Sequence, residues 1–334
     1  MKTIITFDYE MFLGPCPGSV EKCLIEPTER YLNLARILNI RYVFFVDVLY
    51  LIKLKEFSVS YKELECSFSS IVTQLRQASE EGHDIELHLH PQWFYSNYNH
   101  DGWQMDFVHY KLLDCSLQDI AIMISSGCKL IEDICGVRPI AYRAGGYSFP
   151  NSPEILHLLN KEGIRYDSSV LLGFSKQGTF QEYNYSEIKE FRYYNFMDNN
   201  AIENKDGIFT EFPVTCALIP ELYCSFKLRL YLSIHRECIQ ICGDGKGIGV
   251  LSKDVPQQRN IFSKLFGERR VKASLDFINA YYLDDLYNIV CKRKGSLFVI
   301  IGHPKNATAH SYIMLQKFIL KRIDCDIITF RDIK

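Results

Sequence analysis

This chain has no basic tail and no acidic block. Its 38 Lys and Arg against 40 Asp and Glu leave a net charge of −2. Nucleic-acid binding therefore has no electrostatic basis. A CxxC pair is also missing. Twelve cysteines are scattered over 334 residues, a pattern of reduced, partly buried thiols and not of disulfides or a zinc ribbon. The longest apolar stretch, Val214–Ile234, is broken by Pro220, Glu221, Lys227 and Arg229, so no transmembrane segment is expected. Residues 1–8 enter a strand-like segment without the n-region, h-region and cleavage site of a secretory leader. A soluble cytoplasmic protein is the expectation.

What remains is globular, with 47% hydrophobic and 23% charged residues, enough to build a sizeable core. Seven short β-branched or aromatic runs stand out at about 3–8, 41–47, 84–90, 139–143, 164–167, 208–214 and 297–302. Helical stretches at 28–39, 67–82, 117–135 and 152–162 separate many of them. In the last, Ser152 is a candidate N-cap, Pro153 takes the first helical position and Gly163 ends the helix. Strands alternating with helices predict a parallel sheet, open or closed into a barrel. The residues able to do chemistry fall at the C-terminal ends of the strands, where α/β barrels place their active sites.

The stretch Glu86-Leu87-His88-Leu89-His90-Pro91-Gln92-Trp93 puts two histidines at i and i+2, on one face of a strand. Held on a rigid element, such a pair can ligate a metal, although it also fits an ordinary surface strand. Asp8 and Glu10 repeat the spacing at the end of the first strand. One could bind a divalent ion and the other take a proton from water, or both could sit in a solvated turn. Asp47 reads as a helix cap, with a hydrogen-bonding role behind the site as the alternative. The aromatic loop containing Trp93, Phe94, Tyr95, Tyr98 and Trp103 suits stacking on sugar rings or core packing equally. Arg143, before the Gly145-Gly146 turn, could hold a carboxylate by paired hydrogen bonds. Asp167 and His303, each at a strand end, make a plausible orienter and acid.

Taken in order, Thr6-Phe7-Asp8, Gly82-His83-Asp84-Ile85…His88…His90-Pro91, Arg143-Ala144-Gly145-Gly146-Tyr147, Tyr166-Asp167-Ser168-Ser169 and Ile301-Gly302-His303 resemble the five motifs of the polysaccharide deacetylase superfamily. This is the NodB-homology group, carbohydrate esterase family four. The resemblance spans about residues 3–305 and implies one irregular (β/α)7-type barrel domain over 1–334. A helical insertion is expected at about 216–285, including the run Gly243–Gly249, whose spacing is not that of a P-loop.

The resemblance implies Asp8 as general base, oriented by Arg143, with His88 and His90 as metal ligands. Asp167 would tune His303, the general acid on the leaving amine. Tyr147 would bind substrate and offer a backbone N–H to the oxyanion, and Trp93 would line the sugar site. Where the family has adjacent aspartates this chain has Asp8-Tyr9-Glu10, so Glu10 is assigned as the third metal ligand, with Asp8 as the substitute candidate. Where its histidines stand four apart, these stand two apart, as in a branch found in bacterial surface-polysaccharide clusters. The implied activity is a divalent-metal (zinc) hydrolase that deacetylates an N-acetylated sugar, with possible peripheral-membrane or biosynthetic-complex contact and an open oligomeric state. A metal-independent C–N hydrolase and a non-catalytic glycan-binding or scaffold protein are the alternatives.

Overall fold

The computed structural model describes residues 1–234, 240–247, 267–322 and 325–333. We number its main elements β1 (Lys2–Tyr9), α1 (Glu26–Leu38), β2 (Val43–Asp47), α2 (Val48–Ser58), α3 (Lys62–Glu80), β3 (Asp84–Leu89), α4 (Leu117–Cys135), β4 (Ala141–Ala144), α5 (Pro153–Lys161) and β5 (Tyr166–Asp167). There follow β6 (Tyr194–Phe196), β7 (Phe209–Glu211), β8 (Cys216–Pro220), α6 (Glu221–Ile234), β9 (Glu268–Lys272), α7 (Leu283–Lys292), β10 (Leu297–Gly302), α8 (Ala309–Lys321) and β11 (Asp326–Ile327).

Seven strands run parallel in the order β7-β5-β4-β3-β2-β1-β10. The circle closes where the backbone past β7 reaches β10. There Thr215 N–H donates to the Val299 carbonyl (3.1 Å), and its hydroxyl accepts from Val299 N–H (2.9 Å). The molecule is thus an irregular α/β barrel whose seven strands coincide with the seven apolar runs. Every residue of β2, β3 and β10 is buried, as expected for strands covered on one face by helices and on the other by the barrel interior.

Local chemistry sets the helix ends. The Ser116 hydroxyl accepts from Asp119 N–H to start α4, and Gly136, at φ 71°, stops it. Pro153 opens α5 and Gly163, at φ 91°, follows it. Ser152 does not cap through its side chain; its hydroxyl donates to the Glu154 carboxylate instead (2.5 Å).

The 216–285 segment is not simply a helical insertion. Its two ends pair as an antiparallel ribbon, β8 against β9. Ala273 and Leu275 then rejoin the barrel, Leu275 N–H donating to the Ile301 carbonyl (2.8 Å). Among its described residues the segment carries the helix α6 and a 3-10 turn at Asn279–Tyr282; His235 with residues 236–239, and residues 248–266, fall outside the described residues. In the glycine-rich run, Gly243 and Gly245 lie so close to Phe12 that a Cβ would meet its ring at 2.6 and 2.5 Å. Asp244 is bonded to the Ser19 backbone and hydroxyl (2.7 and 2.8 Å). Residues 243–247 of this run therefore form a loop packed on Phe12 and Ser19, and 248–249 lie outside the described residues.

The eleven cysteines among the described residues are free. No helix of the described residues is long and apolar enough to cross a membrane.

Glu86, inside β3, illustrates a cost of burial. One carboxylate oxygen accepts from Ile140 and Ala141 N–H (2.6 and 2.7 Å), yet burial pushes its pKa up to about 8. The folded chain therefore holds a proton that the unfolded chain releases above about pH 4.5. Stability from this group falls as pH rises from there to about 8 and then levels off. Glu86→Gln keeps an acceptor and has no charge to bury. We expect it to match wild type at pH 5 and to exceed it by a few kcal/mol at pH 8.5, at about 1.4 kcal/mol per pKa unit. Urea unfolding at the two pH values checks this, and an equal difference at both would contradict it.

Candidate active site

The barrel brings the ends of β1, β3, β4 and β10 together, and the chemistry gathers there. Glu10 follows β1, His88 lies in β3 and His90 just follows it. Their Glu10 Oε2, His88 Nε2 and His90 Nε2 atoms lie 2.6–3.1 Å apart. All three residues are at least 94% buried, so no solvent competes for them. His88 Nδ1 lies 2.8 Å from the Arg143 carbonyl. Donation there fixes the tautomer that aims an Nε2 lone pair at the cluster.

Glu10 Oε1 is bonded to the buried Lys305 ammonium (2.8 Å), which also donates to the Met11 carbonyl (2.5 Å). Burial favours the neutral acid, but Lys305 and the two histidines outweigh it and hold Glu10 well below the ordinary carboxylate range. Burial, helped by the His88 and Lys305 charges, pushes His90 down to about 4 despite Glu10, whereas Glu10 and Asp8 overcome burial at His88 and raise that group to about 8. One carboxylate and two imidazoles form a donor set suited to a zinc-type ion. Ligation by His88 would release a proton, so affinity should rise with pH. Gly145 makes room for this corner: a Cβ there would lie 2.8 Å from His90 Nδ1.

Asp8 belongs to a second group. Its Oδ1 accepts from Arg143 (2.6 Å), and Oδ2 lies 3.5 Å from His303 Nε2. Arg143 is fully buried, donates also to Thr6 and to both oxygens of Ser168, and stacks on Phe45 at 4.1 Å. Burial raises the Asp8 carboxyl, but Arg143, His88 and His303 together bring it below its ordinary value.

His303 Nδ1 pairs with Asp276 at 2.9 Å, and its backbone N–H donates to the same carboxylate at 2.8 Å. Burial disfavours the imidazolium, yet Asp276, Asp8 and Glu10 raise its pKa.

Two assignments change. Asp167 does not orient His303. It bonds to Ser169 (2.6 Å) and Asn200 (2.9 Å), and its charge, with burial, pushes the neighbouring Glu211 carboxyl well above the ordinary range. The carboxylate paired with His303 Nδ1 is instead Asp276, on the chain that rejoins β10. Trp93 is fully buried, its ring 4.7 Å from Tyr50 and 5.0 Å from Trp103. Its indole is core and cannot stack on a ligand.

Tyr147 lies at the site mouth, in the left-handed region at φ 62°, with its hydroxyl 3.0 Å from Lys272 Nζ. Tyr110 packs near His90 at 6.1 Å.

Asp276, Lys272, Lys305 and Tyr110 are the residues that motif reading missed. Lys305 stands two places after His303 and could have been suspected. Asp276 and Lys272 sit in no motif and are placed only by the return of the chain to the barrel. Asp47 precedes α2 but caps nothing. Both its oxygens are buried without a partner, and burial pushes it up to about 8.

Neither a family model nor a curated protein matches this chain. Among solved structures, a Mycobacterium smegmatis protein described provisionally as a polysaccharide deacetylase aligns over 98% of this chain and 85% of its own. Identity there is 15% and the TM-score 0.48. The allantoinase PuuE aligns over 98% and 86%, at 12% identity and a TM-score of 0.47. A family 4 acetyl xylan esterase from Clostridium thermocellum, solved with a cobalt ion, aligns over 52% and 60%, at 17% identity and a TM-score of 0.30.

Proposed function

We propose that this chain is a metal-dependent hydrolase that removes an acetyl group from the nitrogen of a sugar. The observation that carries the reading is the pairing of two groups in one buried site. Asp8, ionised and held by Arg143, lies 3.5 Å from His303, an imidazole whose pKa is raised, beside the Glu10, His88 and His90 donor set.

In this reading Asp8 accepts a proton from the attacking water as its oxygen bonds to the acetyl carbon. His303 then gives its Nε2 proton to the sugar nitrogen as the C–N bond breaks, leaving acetate and a free amine. Asp276 keeps the imidazole in the orientation and charge state this step needs. The Tyr147 backbone N–H would help stabilise the oxyanion. A zinc-type ion held by Glu10, His88 and His90 supplies a lowered water pKa and polarisation of the carbonyl. Metal dependence, zinc as the ion and a role in bacterial surface-polysaccharide assembly in the cytoplasm are parts of this proposal. So is peripheral-membrane or complex contact, which the exposed Leu222, Phe226 and Leu230 on one face of α6 support.

Metal analysis of the purified protein tests the reading. Under metal-replete conditions we expect one divalent ion per chain, almost none in His88→Ala or His90→Ala, and acetate release abolished by chelation. Acetate release or another amide hydrolysis that survives chelation would instead favour the metal-independent C–N hydrolase.

A further inference from the structure

The charges facing the site do not all cancel at close range. Asp8 has Arg143 at 2.6 Å, Glu10 has Lys305 at 2.8 Å and Asp276 has His303 at 2.9 Å. Lys272 differs. Its ammonium, carried by β9 to the site mouth, donates to the neutral Tyr147 hydroxyl (3.0 Å) and sits 5.2 Å from the centre of that ring. Among the described residues it forms no ion pair, and Asp276 acts on it only at longer range. The ammonium is only part-buried, and the Tyr147 hydroxyl with the more distant Asp276 outweighs burial and keeps it charged, so it can pair with an anion brought to the site.

Tyr147 points the same way. A non-glycine residue at φ 62° is strained, and such strain persists where surrounding structure imposes it, often at ligand sites. The Tyr185 hydroxyl clamps the Tyr147 carbonyl at 2.8 Å. Its own hydroxyl is bonded to Lys272 and lies within electrostatic reach of Asp8 and Asp276. Next to it, Ser148, Asn151 and Tyr183 line a polar cavity of about 670 Å³, within the size range of small-ligand sites. Tyr183 also lies 6.1 Å from the Tyr147 ring.

We infer that Lys272, with the Tyr147 hydroxyl, binds an anionic oxygen group of the substrate, so that the sugar acted on is an acidic one. A carboxylate on the sugar ring or a phosphate on its anomeric oxygen supplies the same chemistry. The inference rests on the hydrolase reading for the acetylated sugar, but the anion site itself stands on Lys272 and Tyr147.

Calorimetric titration with three matched monosaccharides tests it: N-acetylglucosamine, N-acetylglucosaminuronic acid and N-acetylglucosamine 1-phosphate. Wild type should bind one of the two acidic sugars at least about tenfold more tightly than the neutral one. Which of them is preferred identifies the group. Lys272→Met should erase that preference and Lys272→Arg should keep part of it, both variants being checked for native circular dichroism. Equal binding of all three sugars by wild type, binding of none, or a preference that survives in Lys272→Met overturns the inference. Acetate release assayed in parallel separates the two readings. Preferential binding without hydrolysis removes the deacetylase proposal alone, and hydrolysis without preference removes this one alone.

Discussion

Asp8→Asn is expected to lower kcat/KM for deacetylation by about 10²–10⁴-fold, the usual contribution of a positioned general base, while the divalent-ion content stays at the wild-type level. The asymmetry follows from the geometry. Asp8 faces Arg143 and His303, whereas the donor set is built from Glu10 and the two histidines. The variant also leaves the fully buried Arg143 without its counter-ion. Breaking a buried pair by removing one partner costs about 3–5 kcal/mol. Thr6, Ser168 and the Phe45 ring still hold the guanidinium, so a folded protein with a lowered unfolding midpoint is anticipated. Acetate release, metal analysis and thermal unfolding on one preparation separate these effects. Loss of the ion together with activity would mean that Asp8 is a ligand and not the base.

Asp276→Asn should act through the pH profile. A general acid works only while protonated, so activity declines as pH rises through the His303 pKa. Asp276 is the largest influence raising that pKa against burial. Its neutral replacement should move the alkaline limb to lower pH, because the imidazolium loses the charge that most favours it. Asp167→Asn should leave the limb in place, because Asp167 is bonded to Ser169 and Asn200 and not to the imidazole. If the Asp167 variant shifts the profile and the Asp276 variant does not, the pairing described above is wrong.

Much of the architecture could be read from residue patterns. Seven apolar runs became the seven parallel strands, and helix boundaries at Ser116, Gly136, Pro153 and Gly163 follow from capping and backbone preferences that act over a few residues. Local spacing also placed Asp8 with Glu10, and His88 with His90, since alternation along a strand is a property of the strand itself.

Other assignments failed where the same local signal serves two environments. Trp93 could be core or binding surface by its type, and only the packing of Tyr50 and Trp103 around it decides for core. Asp47 has the type and position of a helix cap, yet its ψ of 85° goes with a carboxyl that makes no cap hydrogen bond.

Composition, alternation and caps thus determined the number and order of strands and which strand ends carry acids and bases, because those features depend on neighbours a few residues apart. Tertiary structure decided which of these groups meet. The return of the chain to the barrel at Ala273 and Leu275 sets Asp276, and not Asp167, against the His303 imidazole. Barrel closure also seats Lys305 on Glu10 across 295 residues of chain and brings Lys272 to Tyr147 across 125. Such contacts are set by the curvature and register of the sheet, and no local motif encodes them.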